Sequence, residues 1–437
     1  MILSKCTSNK RNTKTSEGFS IIEILVAISI ASAIFLPILL LVHSYSLHGI
    51  VHSFYNPKIF FHRAVLDGKI MSSTRSLGIR SADLDLDSVD TGNCGLYSKK
   101  VSVQSMSLVS KEDIGVSTSS VMTGILSMGE FMYTSFNSAS ATDADIVVFS
   151  LDLKNKIDSY DIGPGVSRIY STGRFIVAIN SGVTYQYIVF VQDGVTGKLK
   201  EVRRGVFPYK SSGSVPITRL GIMRYPYIIM GTEKSIYPEI YMYDIRDGAL
   251  IHTIETGYGI NDMSLVGNSL IVYGPSNPEI DIFDISVGKI PTKIHSIDLY
   301  GGSGNAKVGR MFGDTMIVGR TKGNNELRIF GLNVDTLKRI VFDSTGSVSS
   351  TSLEFFDVGT FEIGWSVDSI QVVDSTLFVF SGDEWNELQV FNIDDKLQKI
   401  SMFDLPSRVQ YSMCYKGALF GLFVKESEHA LVKITLK

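Results

Sequence analysis

The sequence predicts an all-β seven-bladed propeller preceded by one long N-terminal α-helix. Three observations predict it. A short apolar strand, opening on an acid and closing in a polar turn, recurs between residues 145 and 436 in five clear and two weaker copies. Each copy has an apolar run before it and six of the seven have another after it, with an inner strand ahead of each set. The unit is thus four strands in roughly 40–60 residues, the period of a propeller blade. Apart from all of these stands an apolar run of 24 residues, Phe19–Val42. As a helix it reaches roughly 36 Å, enough to cross a bilayer.

Taken in order, the chain begins with a basic leader, residues 1–18, holding Lys5, Lys10, Arg11 and Lys14 against Glu17. It ends in Gly18, and the apolar run starts at Phe19 with one carboxylate, Glu23, near its beginning. An acid inside a membrane span costs on the order of a few kcal/mol and needs a partner. A secretory signal would carry a small-residue cleavage site after the apolar run. The residues at that point, His43-Ser44-Tyr45-Ser46-Leu47, offer none. A plain anchor needs neither Glu23 nor a glycine at the boundary.

Gly18-Phe19, Glu23 and the apolar helix resemble the processing and assembly signal of type IV pilins and pseudopilins. The resemblance covers only residues 10–45 or so. It implies a cut by a prepilin peptidase between Gly18 and Phe19, with N-methylation of Phe19. It also implies that Glu23 pairs with the new amine, in its own chain or in a neighbouring pilin or pseudopilin subunit. The chemistry fits, because a cation one helical turn away offsets part of the cost of burying the acid. Two features depart from the family: Glu17 just before the cleavage glycine, and Pro37, slightly earlier than the helix proline often seen in pilins. The leader's charge favours the cytoplasmic side. Everything after Val42 is therefore expected outside the cytoplasm, first on a single-pass inner-membrane protein and then in a periplasmic or cell-surface filament.

The whole chain has a formal net charge of -3, and the leader contributes four cations against one acid, so without it the chain stands at -6. That argues against nucleic acid as a partner, since no basic patch is left to neutralise phosphates. Residues 43–77 continue the helix as a stalk, with Ile50, Phe54, Phe60, Phe61, Val65 and Ile70 at loosely helical intervals. Residues 78–95 read as a linker. Asp83, Asp85 and Asp87 alternate as the oxygen ligands of a calcium loop do, which makes calcium the one candidate cofactor. Ser88 stands where such a loop needs glycine, and Cys94 where it needs glutamate. Alternating Asp and Leu equally suits a half-buried strand. Of three cysteines, Cys6 leaves with the leader, and Cys94 and Cys414 remain as a candidate disulfide or as two buried thiols.

The propeller is expected over residues 96–437. The seventh unit stops at Lys437 without a fourth strand, while a spare strand, about 99–109, lies upstream of the first. Used as the outer strand of the last blade, it closes the ring and removes the open edges. Closure sets orientation. The linker enters on the face carrying the first-to-second and third-to-fourth turns, with Cys94 and Cys414 on that side. The second-to-third loops, including Asn137–Ala144, Gly231–Pro238, Gly274–Pro278, Thr321–Asn325 and Ser381–Asn386, occupy the opposite face. There Trp385 is a candidate for stacking on a sugar or anchoring a protein, or for packing within the blade. The long sixth spacing predicts a prominent loop over roughly Ser344–Gly364.

No catalytic motif is present: no Gly-x-Ser-x-Gly, His-Glu-x-x-His or phosphate-binding glycine loop. The expected function is that of a minor pilin-like subunit whose propeller head serves adhesion or recognition of an extracellular ligand. The alternatives are a type II secretion pseudopilin that starts assembly or contacts cargo, and a surface-anchored propeller enzyme. Channel-lining residues discriminate, with converging acids or histidines favouring the enzyme.

Overall fold

The computed structural model describes residues 102–437, apart from short stretches between strands, chiefly 138–142, 181–184, 209–216, 300–303, 333–354, 383–386 and 424–427. The expected helix, the linker, Gly18, Phe19, Glu23, Asp83, Asp85, Asp87, Cys94 and Trp385 lie outside the described residues. Among the described residues no helix is long and apolar enough to cross a membrane.

The described chain is twenty-eight β-strands in seven four-stranded antiparallel sheets. The first strand, β1 (Val103–Ser110), belongs to the last blade. Blade 1 is β2 (Val121–Met128), β3 (Phe131–Asn137), β4 (Ile146–Ser150) and β5 (Lys156–Tyr160). Blade 2 is β6 (Val166–Thr172), β7 (Phe175–Asn180), β8 (Tyr187–Gln192) and β9 (Leu199–Gly205). Blade 3 is β10 (Thr218–Arg224), β11 (Tyr227–Thr232), β12 (Ile240–Asp244) and β13 (Leu250–Ile254). Blade 4 is β14 (Asp262–Val266), β15 (Ser269–Tyr273), β16 (Ile280–Asp284) and β17 (Thr292–Ile297). Blade 5 is β18 (Ala306–Phe312), β19 (Thr315–Arg320), β20 (Leu327–Leu332) and β21 (Phe355–Phe361). Blade 6 is β22 (Val367–Val373), β23 (Thr376–Ser381), β24 (Leu388–Asn392) and β25 (Gln398–Phe403). Blade 7 is β26 (Val409–Tyr415), β27 (Ala418–Phe423) and β28 (His429–Leu436), completed by β1.

The first strands contact one another in succession around the ring. β1 pairs antiparallel with β28, placing Met106 opposite Ile434 and Leu108 opposite Val432. Ser102 and Lys437 exchange both backbone hydrogen bonds, at 3.0 and 2.9 Å. The described chain therefore enters and ends side by side. Both points lie on the face of the first-to-second and third-to-fourth turns, here called the lower face.

The sequence pattern has its cause in packing. Middle strands are covered on both sides by neighbouring blades, so they read as continuous apolar runs rather than alternating ones; β12, β15 and β23 are buried throughout. Seven apolar clusters fill the seven junctions between blades. Outer strands such as β21 and β25 are largely exposed and mix polar with apolar residues, which is why their sequence signal is weak.

The acid that opens five of the repeats, replaced by Gln186 in a sixth, has a structural cause. In six blades Asp145, Gln186, Glu239, Glu279, Glu326 or Glu387 stands just before the third strand, buried. Its side-chain oxygen accepts N–H groups from the connection leading to the next blade. Asp145 accepts from Ile162 and Gly163 (2.9 and 3.0 Å), and Gln186 from Phe207 (2.6 Å). Glu279 accepts from Leu299 (2.8 Å), Glu326 from Ile363 (3.0 Å) and Glu387 from Leu405 (2.9 Å). These connections leave the sheet ladder, so their N–H groups need another acceptor. The acid is a clasp between blades.

One expectation is corrected. The loop expected over Ser344–Gly364 contains β21, the outer strand of blade 5. The extra length falls instead between β20 and β21, a third-to-fourth connection on the lower face. Cys414, expected on the face of the first-to-second turns, is the penultimate residue of β26, at that end of the strand, and is buried in the cluster between blades 6 and 7. It is disulfide-bonded, and its partner lies outside the described residues.

Candidate binding site at the mouth of the central channel

The loops between second and third strands open on the upper face, around the top ends of the first strands. These ends share a feature that the strand pattern hides. In six blades the register of the first strand slips by one residue near its start, leaving one residue unopposed: Thr123, Ser167, Arg219, Lys307, Asp368 or Gln410. In blade 4 Asn261 takes the same place, donating its backbone N–H to the Tyr273 carbonyl (2.9 Å) while Asp262 also stands opposite Tyr273. Such a bulge re-aims a side chain out of the sheet. All seven residues are polar, and each comes directly after a buried residue: Met122, Val166, Thr218, Ile260, Ala306, Val367 or Val409.

Several of these side chains tie one blade to the next. Thr123 Oγ1 donates to the Val166 carbonyl (2.5 Å), Asn261 Nδ2 to Ala306 (2.7 Å) and Gln410 Nε2 to Met122 (2.6 Å). Arg219 instead pairs with Glu233 on the surface. Below the mouth, Asp262 accepts from Gly309 N (3.0 Å) and Arg310 Nη1 (2.8 Å). Arg168 of blade 2 lies over the Tyr411 ring of blade 7, 4.5 Å from its centroid. Close by, burial pushes the Tyr170 hydroxyl above its ordinary range, and its oxygen accepts Gly221 N (2.7 Å).

The junction of blades 5, 6 and 7 differs from the rest. Asp368 is the one acid among the seven, with its side chain 3% exposed. Arg408, just before β26, grips it through Nε and Nη2, both at 2.8 Å. Lys307 reaches it from blade 5, donating also to Ser366 Oγ (2.9 Å). Ser366 Oγ in turn donates to Asp368 (3.0 Å). Two cations thus share one buried carboxylate, a net charge of +1. Their own side chains remain open, Lys307 at 31% and Arg408 at 50% exposed. Arg408 lies along Gly382, where a Cβ would come within 2.9 Å of its Nε, and Gly382 N donates to the Ser366 carbonyl (2.8 Å). Trp365, next to Ser366 on the same connection, is 51% exposed.

The described mouth is therefore polar and locally cationic. Among the described residues no three His, Cys, Asp or Glu side chains gather as a metal site. The described acids of the channel, Asp262 and Asp368, are held by arginine or lysine rather than facing one another. Sequence reasoning placed the loops around this mouth but missed the bulged ring. A signal for it was present, a buried residue and then a polar one at the start of every inner strand, yet a bulge breaks the alternation by which strands are read.

No family model matches the chain, and no curated protein matches its sequence. Solved propellers do resemble it. The β-propeller domain of Cps50 (Swd1) from Myceliophteria thermophila is 11% identical, with a TM-score of 0.50 over 72% of this chain and 98% of that one. A chain of the mitotic checkpoint complex is 12% identical, with a TM-score of 0.53 over 78% of this chain and 93% of that one. The fold is a seven-bladed β-propeller. At these identities the likeness extends to the fold alone.

Proposed function

We propose that the protein is a minor pilin-like subunit whose propeller is a recognition head, with the upper channel mouth as its binding face. On this reading a prepilin peptidase cuts after Gly18 and methylates Phe19. The apolar segment holds the chain in the inner membrane, and Glu23 directs its insertion into a type IV pilus-like filament. The supporting observation is the ring closure. The chain reaches β1 on the lower face, where Ser102 pairs with Lys437, which leaves the polar mouth and its loops on the opposite face. A propeller is also far bulkier than a shaft subunit needs, which favours a place at or near a filament tip.

The test is to image cells with an antibody against the propeller, comparing the native chain with Gly18→Ala and Glu23→Val. Native label on filaments, uncleaved Gly18→Ala confined to the cell body and cleaved but unincorporated Glu23→Val are expected. Native label confined to the cell body removes the filament-tip reading. Label on periplasmic assemblies of a secretion system would assign the pseudopilin role instead.

A further inference from the structure

The charged centre at the junction of blades 5, 6 and 7 is more than the blade clamp requires. Where the ring ties blades elsewhere, a neutral hydroxyl or amide reaches a backbone carbonyl, as in Thr123, Asn261 and Gln410. At this junction the same position carries a buried carboxylate and recruits two cations. Desolvating such groups is costly, and neutral pairing is the cheaper way to hold two blades. Asp368 uses both oxygens to fix Lys307 and Arg408 while leaving them open to the upper face. The pair is a preorganised set of N–H donors with a surplus positive charge. A guanidinium fixed on one edge still presents donors on another, in a geometry that suits a carboxylate.

The second observation is aromatic. Trp365 adjoins Ser366, which itself contacts both Lys307 and Asp368. An exposed indole at the edge of a polar mouth offers a flat apolar face, the surface on which the C–H face of a sugar ring stacks. A cationic donor pair beside a stacking platform selects for a ring that also carries an acid. We propose that this junction binds an acidic saccharide, with Lys307 and Arg408 on the carboxylate, Trp365 on the ring and Asp368 as the positioning residue. The proposal rests on the reading of the upper face as the recognition face and names its ligand class.

The experiment uses the purified full chain in detergent, so it does not depend on processing or filament assembly. A panel of uronic- and nonulosonic-acid oligosaccharides is titrated beside neutral oligosaccharides of the same length, by calorimetry. Binding of acidic members, weakening as salt rises, is expected. Arg408→Gln and Trp365→Ala should each lose about tenfold or more, the scale of one charge-assisted hydrogen bond or one stacked ring. Both side chains are half exposed, and a thermal melt close to native for each variant separates lost binding from lost fold. Equal affinity for neutral and acidic members overturns the proposal, as does a panel with no binder. Unchanged affinity in Arg408→Gln overturns it too, and leaves the centre as a blade clamp. Filament label with no saccharide binding would keep the head's role while removing this ligand.

Discussion

Glu239 is the place to test whether the acid of each repeat is a clasp. Its Oε2 accepts the backbone N–H of Thr256 (3.0 Å), the Thr256 hydroxyl (3.1 Å) and the backbone N–H of Gly257 (3.1 Å). Hydrogen bonds to a charged acceptor contribute about 1.5–3 kcal/mol each. Two things reduce their sum in Glu239→Ala. Gly257 is exposed and Thr256 half-buried, so the freed donors reach water, and the carboxylate no longer has to be desolvated. The expected cost is about 2–4 kcal/mol. Glu239→Gln should cost no more than about 1 kcal/mol, because Gln186 already performs the same task in blade 2, accepting Phe207 N at 2.6 Å. The amide also relieves Glu255, whose carboxyl is pushed up first by burial and then by Glu239. Urea unfolding midpoints of the native chain and both variants read the difference. Glutamine as damaging as alanine would refute the idea that an acceptor is all the position requires. Alanine within about 0.5 kcal/mol of native would refute the clasp itself.

The same geometry sets three further outcomes. Burial pushes the Asp145 carboxyl up to about 6, against the opposing pull of the Ile162 and Gly163 N–H groups. The folded state thus holds this proton more tightly, so the contribution is fully present below the ordinary carboxylate range and is lost as pH rises through about 6. Asp145→Asn should flatten that part of the stability–pH curve, measured by unfolding at a series of pH values. Cys414→Ser should lower stability by about 2–4 kcal/mol. If Cys94 is the partner, Cys94→Ser should cost as much and the double variant no more, with a Cys94–Cys414 peptide seen by mass spectrometry without reduction. Gly309→Ala would put a Cβ 1.9 Å from the Tyr273 ring, which is fully buried, and should abolish soluble protein, whereas Gly194→Ala has nothing within 4 Å and should melt like native.

The propeller was legible because its third strands are buried on both sides. Ile240–Asp244 and Leu388–Asn392 are therefore largely apolar runs, and the clasp residue ahead of them repeats with the blade. The closing strand was legible by counting, since a missing fourth strand at one end met a spare strand at the other. The first strands were harder to read. They begin at a bulge, where Ala306-Lys307-Val308 or Val367-Asp368-Ser369 breaks the period of two, so neither the ring nor its charged junction showed. Length misled as well. The long spacing before Trp365 looked like one loop, but β21 lies within it, and its Phe356 and Val358 point outward rather than into a core. An outer strand with exposed apolar residues carries neither the alternation nor the burial by which a strand is recognised.

Regularity in this chain reports architecture, and departure from it marks the site. Six clasp positions carry Asp, Glu or Gln because each has the same N–H groups to satisfy, and their similarity says nothing about a ligand. The ring positions have a common task as well, and Thr123, Asn261 and Gln410 perform it with neutral groups at about 0.5–1.5 kcal/mol apiece. Lys307, Asp368 and Arg408 meet the same need at greater desolvation cost. A sequence shaped only for ring stability would settle on the cheaper solution at every junction. The charge at blades 5 to 7, beside an exposed tryptophan and on the face opposite the end at which β1 enters, is the feature that ring stability leaves unexplained and binding explains.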